Sequence, residues 1–350
     1  MPLPPAVTIV LVTYYGDSQL ATLWASLCAL EYPRERWRLI VVENGPERRA
    51  ARWFRERAPE VTVLVPGDNT GYAGGNALGM TAALEAGVDY VAIVTQDTRV
   101  APGWLAALVD VAERRPRAGA VQPKIMRDAA RGAPVIHSRG NELHYLGVGY
   151  VGGDGEPDHA LDVRAIGYAS GAGVLYRASA LREVGGFDPA MFMYHEDSDL
   201  SWRLRLAGFE VLLAPLAVMW HAYRFDHGVD KLYFIERNRL VNLLTHYRLR
   251  TLALLAPALF AFEALVFAYA ALGGWSRRRA GVWMWFLRRT TWRYVRTKRR
   301  RVQALRRITD GEIARHLTGR IDFPHVPRPI VAAVVNPLFE GYWRLIRRLL

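Results

Sequence analysis

The stretch VTIVLVT at Val7–Thr13 is a short apolar run rich in β-branched residues. This composition predicts a strand that is buried on both faces. Beyond it, segments with helical spacing alternate with further short apolar runs as far as residue 114. The predicted strands are 39–42, 61–65 and 88–95, and the predicted helices are 18–29, 48–57, 76–86 and 103–114. Strands that alternate with helices at this spacing predict an α/β fold with a mostly parallel, doubly wound sheet and flanking helices.

Polar segments follow the ends of the predicted strands, where ligands bind in such sheets. They are Thr13–Asp17, Glu43–Gly45, Gly67–Asn76 and Gln96–Thr98. Tyrosine and carboxylate side chains can hold a base, glycines let the backbone approach a ligand, and an aspartate can hold a cation on phosphate oxygens. Each segment is also compatible with an ordinary strand-to-helix turn. The glycine run matches neither the Walker loop, which ends in Gly-Lys-Ser/Thr, nor the dinucleotide fingerprint, which follows the first strand.

A second group of acidic residues begins the helix predicted over 197–207. Glu196 and Asp197 would lie at the positive end of this helix, where carboxylates ionise more easily, and a simple helix cap is the alternative. Asp199 and Arg203 are four residues apart and predict an ion pair within the helix. His221 follows a further apolar strand, and a lone histidine in such a place is most often structural.

The basic charge of the chain is concentrated near its C-terminal end. Residues 264–309 contain 13 Lys and Arg residues and no acidic residue, which equals the formal net charge of +13 of the whole chain. Aromatic side chains are interleaved with these bases, and the tract follows a long apolar segment. We therefore expect an anionic membrane surface as partner, and no nucleic acid.

The apolar segment at 251–273 is long enough to span a bilayer. Glu263 near its middle would be costly in lipid, and a single span would put the basic tract on the wrong side under the positive-inside rule. We therefore expect an interfacial or re-entrant helical hairpin bent at Pro257. A buried helix at a homodimer interface is the alternative. No secretory signal is expected, and the single cysteine, Cys28, excludes an internal disulfide and a Cys-based metal cluster and fits a reducing cytoplasm.

Taken in order, these segments resemble the family 2 glycosyltransferases of GT-A fold, especially the bacterial rhamnosyl- and galactofuranosyltransferase-like branch. The resemblance covers about 7–223, and more loosely 230–247. It rests on five matches: Thr13-Tyr14, Val41-Val42-Glu43-Asn44, the run Asn69–Asn76, Gln96-Asp97-Thr98, and Gly185–Asp188 leading into Glu196-Asp197.

The resemblance implies roles for the matching residues. Those implied to bind the nucleotide are Thr13, Tyr14, Glu43, Asn69, Gly74, Gly75, Asn76, Gln96 and Asp97. Most relatives have Asp at the position of Glu43, whose side chain would contact the base, so uracil and thymine both stay open. Asp97 matches the metal ligand of an Asp-x-Asp-type motif whose companion acid is missing here. His221, which lies 24 residues after Asp197, is the candidate second ligand for Mn²⁺ or Mg²⁺. Asp197 matches the general base, with Glu196 as the alternative.

The function implied is that of an inverting, metal-dependent hexosyltransferase at the cytoplasmic face of the cell membrane. It would move a rhamnose- or galactofuranose-like sugar from a dTDP- or UDP-sugar to a glycan or polyprenyl-diphosphate-linked acceptor. The implied catalytic domain is 1–229, with a nucleotide-binding half at 1–120 and an acceptor half at 121–229, and 230–350 would form a helical membrane-association region. A non-catalytic module that binds a sugar nucleotide or glycan is the main alternative. A nucleotidyltransferase would need a Gly-rich, Arg/Lys-ending loop after the first strand, and residues 13–17 contain none.

Overall fold

In a computed structural model of the chain, the structure describes residues 3–14, 17–128, 133–222, 229–321 and 331–350. The chain divides into two compact units. The first is Met1–Asn141, Val151–Leu204 and Phe209–Phe225, and the second is Glu142–Tyr150, Arg205–Gly208 and Asp226–Leu350. The second unit therefore includes three short segments, 142–150, 205–208 and 226–229, that the sequence prediction placed in the first domain.

The described elements alternate in the N-terminal half as predicted. The strands are β1 (Val7–Thr13), β2 (Trp37–Glu43), β3 (Thr62–Leu64), β4 (Tyr90–Thr95), β5 (Thr98–Val100), β6 (Ala118–Arg127), β7 (Ile136–Ser138), β8 (Asn141–His144), β9 (Gly149–Val151), β10 (Arg164–Ala165), β11 (Gly173–Arg177), β12 (Glu210–His221) and β13 (Leu317–Thr318). The α-helices are α1 (Asp17–Cys28), α2 (Arg49–Arg57), α3 (Gly71–Glu85), α4 (Trp104–Arg114), α5 (Ala178–Val184), α6 (Glu196–Leu206), α7 (Val229–His246), α8 (Leu249–Leu272), α9 (Ser276–Phe286), α10 (Arg289–Ala304), α11 (Asp310–Ala314) and α12 (Asn336–Ile346). Short 3-10 helices lie at Arg34–Arg36 and Pro189–Met191, and a π-helical turn lies at Val331–Val335.

The central sheet of the first unit has the strand order β10-β12-β6-β11-β4-β1-β2-β3, with β5 added to β12 and β7 added to β6. Strands β1 to β4 are parallel, whereas β11 runs antiparallel to both β4 and β6. The predicted α/β class is thus confirmed. Strand β12 also pairs in parallel with β6, while the antiparallel additions of β5, β7, β10 and β11 make the sheet a mixed one. The described residues between β6 and β11 contain no helix, and strands that lack a helical crossover pair antiparallel.

The core of the first unit packs between the sheet and helices α1, α2 and α4. It includes Ile9 and Leu11 of β1, Phe54 of α2 and Trp104 of α4, all of them buried. All seven residues of β1 are buried, as expected for a strand covered on both faces. The register places Thr13 opposite Glu43, so the carboxyl ends of β1 and β2 meet at one edge of the sheet.

The second unit consists of helices α7 to α12 and a small sheet of order β13-β8-β9. Among the described residues, α8 is the one helix long and apolar enough to cross a membrane, judged by length and composition. Only 22% of its most apolar window is buried. The predicted bend at Pro257 does not interrupt this helix, which is continuous through that residue.

Candidate active site

The end of β2 is organised around the carboxylate of Glu43, which is buried. Glu43 Oε1 accepts hydrogen bonds from Thr13 Oγ1 at 3.2 Å and from Gly45 N at 2.9 Å. Glu43 Oε2 accepts from Ala50 N at 2.7 Å and Ala51 N at 3.2 Å, at the start of α2. A carboxylate has about four acceptor positions, so these four donors occupy them. The predicted contact of Glu43 with a base stays a prediction, and it would require one of these bonds to be released.

Asn44 joins the end of β2 to the glycine run. Its Nδ2 donates to Gly71 O at 2.8 Å, and its Oδ1 accepts from Thr70 Oγ1 at 2.9 Å. Asn69 Oδ1 in turn accepts from Gly71 N at 2.9 Å. These bonds satisfy polar groups at the helix start, and α3 begins at Gly71, five residues earlier than predicted.

Gly74 and Gly75 consequently lie inside α3, whereas the sequence prediction placed them in a turn before a helix that begins at Asn76. A Cβ at Gly75 would lie 2.9 Å from Val12 Cγ1, and one at Gly74 would lie 2.8 Å from Thr70 Cβ. Asn76 is fully buried and donates to a backbone carbonyl of its own helix at 2.9 Å. Close packing of α3 therefore explains the glycines physically, while their contact with a nucleotide stays a prediction.

Tyr14 and Gln96 follow β1 and β4 at the same edge of the sheet. Tyr14 N donates to Gln96 Oε1 at 3.4 Å, and the Tyr14 side chain is exposed. Asn69 is exposed as well. The structure therefore leaves Tyr14 and Asn69 accessible to a ligand at the edge where the sequence predicts the nucleotide.

Asp97 and His221, the two predicted metal ligands, are in direct contact. Strand β5 pairs with β12, which places His221 opposite Thr98, and Asp97 Oδ2 lies 3.2 Å from His221 Nε2. The Asp97 side chain is 28% exposed and that of His221 is 7% exposed. Burial acts to raise the pKa of Asp97, but the hydrogen bond and charge of His221 outweigh it, and the pKa lies below its ordinary value.

A carboxylate and an imidazole held side by side, with the carboxylate open to solvent, fit Mn²⁺ or Mg²⁺. Within the described ranges, no group of three His, Cys, Asp or Glu residues could hold a metal. Further ligands would therefore have to come from nucleotide phosphates and water. The pair suits a cation that binds together with its nucleotide.

His137 on β7 lies beside this pair and was not predicted from the sequence. Its ring centroid is 5.7 Å from that of His221, and its Nδ1 is 3.1 Å from Asp154 Oδ1. Burial lowers the pKa of His137, although Asp154 opposes that effect. No local spacing points to His137, because β7 reaches this place only by pairing with β6.

Asp197, the predicted general base, lies in the first turn of α6. Its Oδ1 accepts from Ser198 N at 2.7 Å, and its Oδ2 accepts from Gly171 N at 3.0 Å. Burial raises the pKa of Asp197 to about 6 despite these bonds. A carboxylate with a pKa near neutrality suits proton transfer at physiological pH. Gly171 was not predicted as a site residue, since its segment reads only as a glycine-rich turn.

Glu196 has a different environment. Its side chain is buried, with 4% of the residue exposed, and Oε2 has no hydrogen-bond partner in the described part of the chain. Burial, followed by the charge of Asp197, raises the pKa of Glu196 well above its ordinary value. A carboxyl that is closed off from solvent is less accessible to an acceptor hydroxyl than the partly exposed Asp197, so burial favours Asp197 over Glu196 as the candidate base.

The predicted ion pair of α6 is confirmed. Arg203 Nη2 lies 2.7 Å from Asp199 Oδ2, and both side chains are buried. The same guanidinium donates to Val184 O at 2.7 Å and to Gly186 O at 2.7 Å. Arg203 thereby ties the turn at Gly185–Asp188 to the helix that carries Asp197.

Comparison with known proteins places these features in context. The sequence model of the family described as "Glycosyltransferase like family 2" matches residues 4–242. An N-acetylglucosaminyl-diphospho-decaprenol L-rhamnosyltransferase of Mycobacterium tuberculosis is 34% identical over 249 residues, which are 63% of this chain and 78% of that protein. GalNAc-T7, solved with UDP, GalNAc and Mn²⁺, shares the fold with a TM-score of 0.61 at 14% identity, over 81% of this chain and 56% of that chain. Residues 1–349 of S. aureus TarS align with a TM-score of 0.52 at 13% identity, over 98% of this chain and 90% of that chain.

Proposed function

Because this chain is a glycosyltransferase and belongs to the family described as glycosyltransferase like family 2, we propose that it moves a rhamnose-like hexose from a nucleotide donor to a polyprenyl-diphosphate-linked acceptor. The family predicted from the sequence is confirmed by a match that covers most of the chain. The similarity to an N-acetylglucosaminyl-diphospho-decaprenol L-rhamnosyltransferase supports rhamnose over galactofuranose. Of the two donor nucleotides that the sequence leaves open, dTDP and UDP, we propose dTDP. Because the chain is a glycosyltransferase, we do not retain the alternative interpretation as a non-catalytic binding module.

The observation that carries this proposal is the arrangement of polar groups at one edge of the sheet. The Asp97–His221 pair lies just beyond β4, and Asp197 lies at the start of α6 in the same unit. The pair would hold a divalent cation, whose charge stabilises the diphosphate leaving group when it is bound. Asp197 would accept the proton of the acceptor hydroxyl, because its carboxylate is held by two backbone N–H groups and has a pKa near 6.

The chemistry proposed for Asp197 is a single inverting displacement. The carboxylate of Asp197 accepts the proton of an acceptor hydroxyl while that oxygen attacks the anomeric carbon of the donor. The new glycosidic bond forms as the bond from the anomeric carbon to the diphosphate oxygen breaks, and the electron pair leaves with the nucleoside diphosphate. Attack from the side opposite the leaving group inverts the anomeric configuration.

The donor half of the proposal is tested by calorimetric titration of dTDP and UDP with and without Mn²⁺. We expect Asp97→Ala and His221→Ala each to weaken the Mn²⁺-dependent binding about tenfold or more, because each removes one of two protein ligands. Asp128→Asn is the matched control. Asp128 lies at the end of β6 and pairs with Arg99 at 3.3 Å on the surface. Titration curves for Asp97→Ala that match those of the unsubstituted chain would overturn the metal role of Asp97.

We also propose that the second unit attaches the enzyme to the cytoplasmic face of a membrane through α8. The outward face of α8 is apolar, with Phe260 77% exposed and Leu272 90% exposed. The exposed residues of this helix between 251 and 272 include no charged side chain. Exposed arginines follow on α9 and α10, and they suit anionic headgroups. Large exposed apolar surfaces of this kind are typical of interaction sites.

Glu263 supports a helix that lies in the membrane surface over one that spans it. Its carboxylate pairs with Arg239 of α7 and Arg279 of α9, and both arginines are almost fully buried. Glu236 completes the network at 2.8 Å from Arg239 and 2.9 Å from Arg279. A free-standing span would take Glu263 into lipid without these partners, at a high free-energy cost. With the pairs intact, one side of α8 faces the protein and the other is available to lipid.

A further inference from the structure

The backbone N–H and C=O groups of Gly171 connect helix α3, which carries the glycine run, to Asp197, the proposed base. Tyr72, in the first turn of α3, donates its hydroxyl to Gly171 O at 2.6 Å. Gly171 N donates to Asp197 Oδ2 at 3.0 Å. Gly171 is thus held by a side chain from α3 on one side and holds the carboxylate of α6 on the other. Burial raises the pKa of Tyr72 well above its ordinary value, so its hydroxyl remains a donor throughout the physiological pH range.

A second set of contacts joins the same two elements. Ala73 N donates to Phe192 O at 2.9 Å, and a Cβ at Gly71 would lie 2.3 Å from that oxygen. Phe192, Tyr194 and His195 all have positive φ, between 63° and 66°. Non-glycine residues adopt this strained conformation only where the surroundings hold them. Contacts with the start of α3 therefore hold the backbone conformation of residues 192–195, which lead into Asp197.

We infer that Tyr72 is a positioning residue for Asp197: through Gly171 it sets the orientation of the carboxylate that receives the acceptor proton. This inference rests on the proposed function of Asp197 as the base. Proton transfer requires the acceptor oxygen within hydrogen-bond reach and correctly aimed, so a small rotation of the carboxylate slows the reaction. Tyr72 acts at the step that uses the base, and the donor can still bind without its hydroxyl.

Tyr176 of β11 offers a matched control. Its ring centroid lies 6.2 Å from that of Phe187, and the Tyr72 ring lies 6.4 Å from the same phenylalanine. Both tyrosines therefore pack against one side chain. The hydroxyl of Tyr176 is buried and has no hydrogen-bond partner within the described residues. Tyr176→Phe and Tyr72→Phe thus remove the same atom from neighbouring places, but only the second removes a bond to Gly171.

The test is steady-state kinetics with dTDP-rhamnose and an N-acetylglucosaminyl-diphosphate-polyprenol acceptor in detergent. For Tyr72→Phe we expect kcat to fall about tenfold, the effect of one lost hydrogen bond in the transition state, with KM for the donor within twofold. Tyr176→Phe should keep both constants. A kcat for Tyr72→Phe within twofold of the unsubstituted enzyme would overturn the inference. A rise in donor KM at constant kcat would also overturn it, since Tyr72 would then bind the donor.

A second variant and a second measurement test the inference if Tyr72→Phe folds poorly or if no turnover is observed. A Cβ at Gly171 would lie 3.3 Å from Tyr72 Cε1 and 3.7 Å from Asp197 Cβ, so Gly171→Ala should disturb the same contact and lower kcat in the same way. Hydrogen exchange of the peptide that contains Gly171 needs no substrate. We expect faster exchange in Tyr72→Phe than in Tyr176→Phe, and equal exchange would contradict the positioning role. If the unsubstituted chain shows no turnover with this donor, the proposed function fails, and the exchange result still decides whether Tyr72 holds Gly171.

Discussion

Glu196 and Asp197 are adjacent carboxyl groups in one turn of α6 with opposite environments. Asp197 accepts hydrogen bonds from two backbone N–H groups, and its side chain is partly exposed. Glu196 is buried away from solvent, and one of its carboxyl oxygens has no hydrogen-bond partner within the described part of the chain. The sequence alone left both as candidates for the base. The choice between them depends on which carboxyl can reach solvent, and that follows from packing against the first turn of α6.

Asp197 should impose an acidic limb on the pH dependence of transfer. Its pKa is about 6, and a general base must be ionised, so kcat/KM should fall as the pH drops through about 6. Glu196→Gln should keep this limb, because burial and not Glu196 is the main cause of the raised pKa of Asp197. Asp197→Asn should lower kcat by about 10²–10⁴-fold. Initial rates between pH 5 and pH 8 check both variants, and a Glu196→Gln enzyme without activity would make Glu196 the base instead.

Thermal unfolding provides the folding control for Asp197→Asn. The pKa of Asp197 in the folded chain lies above its ordinary value, so this group favours the folded state at low pH, and that contribution is lost as the pH rises through about 6. The asparagine carries no charge to bury. Its amide has one acceptor oxygen, however, so it keeps only one of the two backbone hydrogen bonds that Asp197 accepts. The two effects oppose each other, and the unfolding temperature at pH 8 should stay within about 4 °C of that of the unsubstituted chain.

At the scale of elements, α3 shows how packing overrides local propensity. Glycine disfavours helix, so the run at 71–75 predicts a turn before a helix that begins at Asn76, yet α3 begins at Gly71. The missing side chains allow the helix to lie against β1, where a Cβ at Gly79 would approach Val10 Cγ1 to 2.3 Å. The number of glycines is visible in the sequence, but the strand that they face is not.

Gly79→Ala should destabilise the first unit by about 1–3 kcal/mol, because a methyl group in that place overlaps a buried β-branched side chain. This effect should exceed the gain in helix propensity, which is at most about 1 kcal/mol. Gly67→Ala is the control, since a Cβ there meets nothing within 4 Å. Urea unfolding checks both variants, and equal midpoints would show that α3 can move away from β1 without cost.

The buried ion pairs that join helices α7, α8 and α9 lead to a second prediction at the scale of secondary-structure elements. Glu263→Gln would leave Arg239 and Arg279 with Glu236 as the remaining carboxylate of the network. An uncompensated buried charge costs about 3–5 kcal/mol. The control is Glu340→Gln, which removes a partly exposed pair with Arg344 and should cost at most about 1 kcal/mol. Denaturant unfolding of both variants measures the difference, and similar losses would mean that the network contributes little.

At the scale of the whole molecule, charge and apolar surface are both concentrated in the second unit. The basic tract accounts for the net charge of the chain, and α8 presents its apolar face next to it in sequence. Attraction to anionic lipid depends on salt, whereas insertion of apolar side chains does not. The two contributions can therefore be separated by experiment.

The protein should bind vesicles that contain phosphatidylglycerol and remain partly bound in 1 M NaCl. Phe260→Asp and Phe267→Asp should each weaken binding about ten- to hundredfold, since a buried phenylalanine contributes about 1.5–3 kcal/mol. Leu216→Asp on β12 is the control, because Leu216 is 85% exposed and belongs to the first unit. Co-sedimentation with vesicles measures all three variants. Complete release by salt alone would contradict insertion of α8 and leave a purely electrostatic attachment.

Local and periodic patterns let the sequence by itself determine the α/β class, the family, the Asp199–Arg203 pair and the apolar helix at the C-terminal end. Each of these depends on residues a few positions apart, whose spacing the printed sequence displays directly. Only the tertiary structure decided that β11 runs antiparallel, that Gly171 holds Asp197, and that His137 lies beside the Asp97–His221 pair. Such contacts arise from strand order and register, which depend on how the whole core is buried and therefore leave no mark in local spacing.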